Sequence, residues 1–173
     1  MVDRTELEDL ESAAMKFEWG TVETEGLKQF KQGVKYMRSN LPLSALQCFR
    51  RALDDEQNNP YFLSYFGLAL ARAEHKWDEA EQICMSALRM KRRQPQLYLN
   101  LAEVYLKAGK REDAVDVLLE GIHYEPGDVR LNRMLGKLGI RRPPVLPFLG
   151  RANKLNKGLG HLRHRIHRLI HRD

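Results

Sequence analysis

Small residues recur along this chain at one interval, and that interval constrains its fold more than any other feature. Gly33, Gly67, Ala102 and Gly136 are separated by 34, 35 and 34 residues. Two further series, Ala45, Ala80, Ala114 and Ala52, Ala87, Gly121, keep nearly the same spacing. Large residues travel with them: Tyr36, Leu70 and Tyr105 lie one helical turn beyond the first series, and Phe49, Cys84 and Leu118 one turn beyond the second. Close packing of two antiparallel helices explains the pairing, because only Gly or Ala fits where backbones touch and a bulky neighbour fills the space beside the contact. A hairpin of this size cannot bury its apolar faces alone, so copies must stack.

Helix punctuation agrees. Asn59-Pro60 and Gln94-Pro95 put proline in a first turn, where its missing N–H costs nothing, and Asp128 is placed to cap the next helix. Gly109 suits a left-handed C-terminal cap. The spacing predicts hairpins of helices near 26–38 with 42–54, 60–74 with 77–91 and 95–108 with 111–124. A single helix near 129–139 comes after them, stopped by Arg142-Pro143-Pro144.

Tyr98, Leu101-Ala102, Tyr105, Gly109, Ala114 and Pro126 resemble the tetratricopeptide repeat, with Pro95 to Asp128 the best copy and the likeness running over about 26–139. Gln57 and Arg92 stand where the family usually has its closing proline, and the second copy carries one extra residue near Glu74–Lys76. The resemblance implies an all-α superhelical stack of about three hairpins plus a single fourth-repeat helix. It also implies a non-catalytic scaffold or adaptor that binds a peptide or helix of another protein on a concave inner surface. Carried onto this chain, that surface contains Leu27, Phe30, Val34 and Met37, then Tyr61, Ser64, Leu68 and Arg72, then Gln96, Leu99, Glu103, Leu106 and Lys107. The first group reads equally as core. Family members that bind acidic chaperone C-termini clamp carboxylates with Lys, Asn and Arg; Phe30 and Val34 occupy the places of that Lys and Asn, so the clamp is absent and apolar anchors are expected in a partner.

No motif competes for an enzymatic reading. There is no glycine-rich phosphate loop, His-Glu-x-x-His helix or nucleophile elbow, and no cofactor or small-molecule substrate is expected. Cys48 and Cys84 sit inside apolar helical patterns and read as buried thiols, too few for a disulfide framework or zinc site. The acidic start lacks the features of a secretory signal and no apolar run spans a bilayer, which together point to the cytoplasm.

The formal net charge of +6 is unevenly distributed. Residues 1–25 carry two basic against eight acidic side chains, whereas 141–173 carry nine against one. The chain thus divides into an acidic leading segment (1–25), a repeat domain (26–140) and a basic proline-containing tail (141–173). Thr5-Glu6-Leu7-Glu8 has the form of a capping box, and Leu7, Leu10, Ala14 and Phe17 form a helical stripe, either a cap for the first hairpin or a partner-binding helix. In the tail, Val145, Leu146, Phe148 and Leu149 precede an amphipathic pattern of Leu155, Leu159, Leu162, Ile166, Leu169 and Ile170. Arg151, Lys154, Lys157, Arg163, Arg165, Arg168 and Arg172 form its basic side, an anion-binding candidate. Three readings stand: the apolar face caps the stack, lies on an anionic membrane, or the cations bind nucleic acid or an acidic protein. His164, His167 and His171 have the spacing of a metal site, but neighbouring arginines repel a cation and no carboxylate stands nearby, so no metal is expected.

Overall fold

Three helices begin at a side chain that replaces a missing backbone partner. Thr24 Oγ1 accepts from the Leu27 amide at 3.2 Å, Asn59 Oδ1 from Tyr61 at 3.0 Å, and Asp128 Oδ1 from Arg130 and Leu131 at 2.8 and 3.1 Å. Pro42, Pro60 and Pro95 occupy the first turn of three helices. The computed structural model describes residues 24–139, and over that span the element order is α1 (Glu25–Arg38), α2 (Pro42–Asp55), α3 (Pro60–Glu74), α4 (Trp77–Met90), α5 (Pro95–Lys107), α6 (Arg111–Tyr124) and α7 (Val129–Lys137). The acidic leading segment and the basic tail lie outside the described residues.

Each hairpin closes on its small residues. A methyl group added to Gly33 would come within 2.5 Å of the Phe49 ring, and one on Gly67 within 2.7 Å of Cys84 Sγ and 3.0 Å of the Ala80 carbonyl. Ala45, Ala80, Ala102 and Ala114 are wholly inaccessible. The first two hairpins share an aromatic cluster in which Phe30 stacks on Phe62 at 4.9 Å and meets Tyr65 edge-on at 5.1 Å, with Phe49 at 5.5 Å. Further along, Leu97, Tyr98, Leu101, Leu118, Leu131 and Leu135 continue the same core. Burying one such large side chain stabilises the fold by about 1.5–3 kcal/mol.

The helix contacts set the curvature. α1, α3, α5 and α7 pack in succession, each outer helix (α2, α4, α6) packs on its own inner helix, and α2, α4 and α6 also meet the next inner one. Among the described residues, successive outer helices make no backbone approach. The inner row is therefore the tighter one, and the stack is concave on the side of α1, α3, α5 and α7.

Two turns depart from the glycine rule. Gly109 ends α5 at φ 78° as the sequence leads one to expect, but Asn40 and His75, at φ 57° each, are the left-handed residues after α1 and α3. Asn tolerates that region better than most residues, and the His75 ring packs against Trp77 at 5.2 Å. The last helix stops at Lys137, with Gly139 at φ 71°, slightly short of the expected 139.

Candidate partner-binding groove

The concave side is built from positions that the 34-residue repeat superimposes. Phe30, Ser64 and Leu99 form one line, and Val34, Leu68 and Glu103 the next. Exposure along these lines depends on the length of the neighbouring inner helix. Phe30 and Ser64 are inaccessible and Val34 and Leu68 are 6% and 4% exposed, because the next inner helix lies against them. Leu99, Glu103 and Leu106 on α5 are half-buried, since α7 has only nine residues to lay across them.

Ser64 and Leu68 are therefore corrected from groove lining to core. Asn100 Nδ2 donates to Ser64 Oγ at 3.0 Å, and Cys84 donates from Sγ to the Ser64 carbonyl at 3.4 Å, so Ser64 is a buried polar node between α3, α4 and α5. Burial pushes the Cys84 thiol up to about 12, which makes it inert as a nucleophile. Of the other expected residues, Tyr61, Arg72, Gln96, Leu99, Glu103 and Leu106 are half-buried and Lys107 is exposed.

Most polar side chains of the groove are satisfied by one another. Arg130 Nη1 donates to Gln96 Oε1 at 2.9 Å, Gln96 Nε2 to Asn100 Oδ1 at 2.9 Å, and Asn100 onward to Ser64. Asp128 anchors this row by an ion pair with Arg130 at 2.9 Å. A second crossing runs from the Asn40 side chain, which accepts from Arg72 at 2.9 Å, to Glu103, 3.6 Å from the same guanidinium. Tyr61 donates to Gln94 Oε1 at 2.6 Å with Lys91 5.5 Å above its ring. These bonds tie α3, α5 and α7 into a preorganised floor between whose polar rows Leu99 and Leu106 stand half-open.

Sequence reasoning left out the contribution of α7. One repeat carries Gln96, Leu99 and Glu103 onto Arg130, Arg133 and Lys137, so the far end of the concave side turns cationic. The signal was the repeat itself, continued into the truncated copy. Asn100 was also missed, because its place beside Ser64 depends on how two repeats pack and not on either one.

A family model for the tetratricopeptide repeat matches residues 71–138. Over that stretch the chain carries the tetratricopeptide repeat. Solved tetratricopeptide-repeat structures share its fold at low identity. The first such domain of Spaghetti (RPAP3), bound to the HSP90 peptide SRMEEVD, is 22% identical with a TM-score of 0.55 over 66% of this chain and 93% of that one. The domain of Sgt2 from Aspergillus fumigatus is 18% identical with a TM-score of 0.58, over 68% and 78%. The second domain of human RPAP3, in complex with the HSP70 peptide SGPTIEEVD, is 17% identical with a TM-score of 0.54, over 68% and 97%. No curated protein sequence matches the chain. Among the described residues no helix of this protein is long and apolar enough to cross a membrane.

Proposed function

We propose that this protein is a non-catalytic scaffold that holds a segment of another protein on its concave side, through Tyr61, Arg72, Gln96, Leu99, Glu103, Leu106 and Lys107, joined by Arg133 and Lys137. The observation that carries the reading is the half-open pair Leu99 and Leu106 on a floor whose polar groups are already paired. A partner contributes apolar anchors to that pair, as an amphipathic helix or an extended strand of chain would. The repeat domain at 26–140 is the binding unit, and two buried free thiols suit a reducing, cytoplasmic setting.

The peptides held by the structural neighbours are a poor fit. Phe30 and Val34 replace the clamp residues of the chaperone-binding members and are themselves core, so these two positions offer no cation or amide to a terminal carboxylate. Labelled SRMEEVD is expected to show no saturable anisotropy change with this protein.

The positive test is comparative capture from native cells. Leu99→Glu with Leu106→Glu should keep the parent's circular dichroism and lose partners that Met85→Glu, on exposed outer-helix surface, retains. Retention of every partner by a folded groove variant overturns the reading.

A further inference from the structure

The stack contains its own measure of what belongs after α7. Lys110, just before α6, reaches back to α4, with Nζ 2.8 Å from Glu81 and 3.7 Å from Asp78, while Tyr105 donates to the same Glu81 at 3.1 Å. In the first hairpin the place of Glu81 is taken by Leu46, 4% exposed. A following hairpin thus covers this position twice. One repeat further on, Asp78 becomes Glu112 and Glu81 becomes Val115. Val115 is half-buried and Glu112 exposed. The pattern extends along the helix: Ile122 is half-buried where its counterpart Leu88 is 6% exposed, and Leu119 is half-buried between them. The third hairpin therefore ends with Val115 and Ile122 at positions that are covered one repeat earlier, and with Leu119, whose counterpart Met85 is exposed, apolar between them.

The path of the chain names the occupant. Arg111 Nη2 donates to the Leu138 carbonyl, so the chain leaves α7 beside the first residue of α6, about one turn from Val115. The residues that come next include Pro143, Pro144, Val145, Leu146, Phe148 and Leu149, and residue 144 is one repeat beyond Lys110. Charge agrees. Glu112, Asp113, Asp116 and Glu120 are exposed on α6, whereas residues 141–173 hold nine Lys and Arg against one Asp.

We infer that the segment following α7 docks on α6 of the same chain, with Val145 to Leu149 against Val115, Leu119 and Ile122 and the basic residues beyond them beside Glu112, Asp116 and Glu120. This face belongs to an outer helix and the inference is independent of the groove. It makes the outer acidic row the first ligand of the basic tail, so a membrane or nucleic acid must compete with it.

The test uses the full chain carrying Val115→Cys and Phe148→Cys, oxidised and mapped by mass spectrometry; native Cys48 and Cys84 are buried. Met85→Cys with Phe148→Cys is the control, since Met85 is the exposed counterpart of Leu119 one repeat earlier. The 115–148 disulfide should form at least about tenfold faster than the control, as expected for two positions held together against two that meet by diffusion. Equal rates, or no 115–148 bond, overturn the inference. A readout without new thiols compares thermal midpoints: Val115→Glu and Phe148→Glu should each lower the midpoint, and the double variant by less than the sum. A silent Phe148→Glu, additive losses, or phosphatidylserine vesicles that pellet the parent and abolish the cross-link would place the segment elsewhere.

Discussion

Gly67 and Gly136 hold equivalent places in the repeat under opposite conditions. Gly67 has Cys84 and the Ala80 carbonyl where a Cβ would go, whereas nothing described lies within 4 Å of that point at Gly136. Gly67→Ala is accordingly expected to cost about 1–3 kcal/mol as overpacking. Gly136→Ala, inside α7, should be neutral or stabilise by up to about 1 kcal/mol through helix propensity. Urea denaturation of both variants checks this, and equal losses would mean that Gly136 is packed too. The contrast shows what single residues reveal: the small-residue series was legible, but not whether a second helix is present to press on each member. The same holds for Leu68 and Leu99. Periodicity put both on an inner helix, yet Leu68 is core because α5 lies against it, and Leu99 is half-open because only the short α7 does so. No property of either leucine distinguishes them; the length of the next element does.

Whole elements were read more fully than their side chains. The expected helices and the observed ones agree within two residues at either end, since proline, Asn and Asp at helix starts and the small-residue lag act locally. Gly109 was legible for the same reason, and its motif is complete, with Lys110 N donating to the Tyr105 carbonyl at 2.9 Å. Asn40 and His75 were not: Asn40 closes the same motif, with Leu41 N donating to the Tyr36 carbonyl at 2.9 Å, but a side chain other than glycine does not announce a left-handed turn. The start of α3 offers a test at this scale. Asn59 Oδ1 accepts from two amides while its Nδ2 donates to Glu56 Oε2 at 2.8 Å. Asn59→Ala should destabilise the protein by about 0.5–2 kcal/mol, and Asn59→Asp, which keeps the acceptor, by less. Hydrogen exchange should localise the loss to the first turn of α3; a uniform loss of protection would assign Asn59 to the global core.

The molecule as a whole is arranged to lose stability on the alkaline side. Burial raises the Cys84 thiol from 9.0 to about 12 and the Tyr105 phenol from 10.0 to about 12, the latter with Glu81 adding to the effect. Burial likewise raises Tyr98 and Cys48, and the bond to Glu81 holds Lys110 protonated beyond its ordinary range. Every one of these shifts is upward, so the folded state keeps more protons than the unfolded chain once pH exceeds about 9. The stabilisation they represent is fully present below that point and is lost as pH rises through 9 towards 12. Thermal midpoints should therefore hold level near neutrality and fall steadily above about pH 9. Tyr98 separates this from general charge repulsion. Its hydroxyl is buried, and among the described residues it has no hydrogen-bond partner, while Glu120 and Tyr124 oppose its ionisation. Tyr98→Phe removes that unsatisfied group without emptying the ring's place beside Gly121, and should stabilise the protein at neutral pH by about 1 kcal/mol. The gap between variant and parent should then widen as pH climbs past about 10, because only the parent releases a phenolic proton at this position when it unfolds. A gap that stays constant from neutral to alkaline pH would show that Tyr98 ionises as readily in the folded protein as in the unfolded chain, and the alkaline loss would then belong to the thiols and to Tyr105.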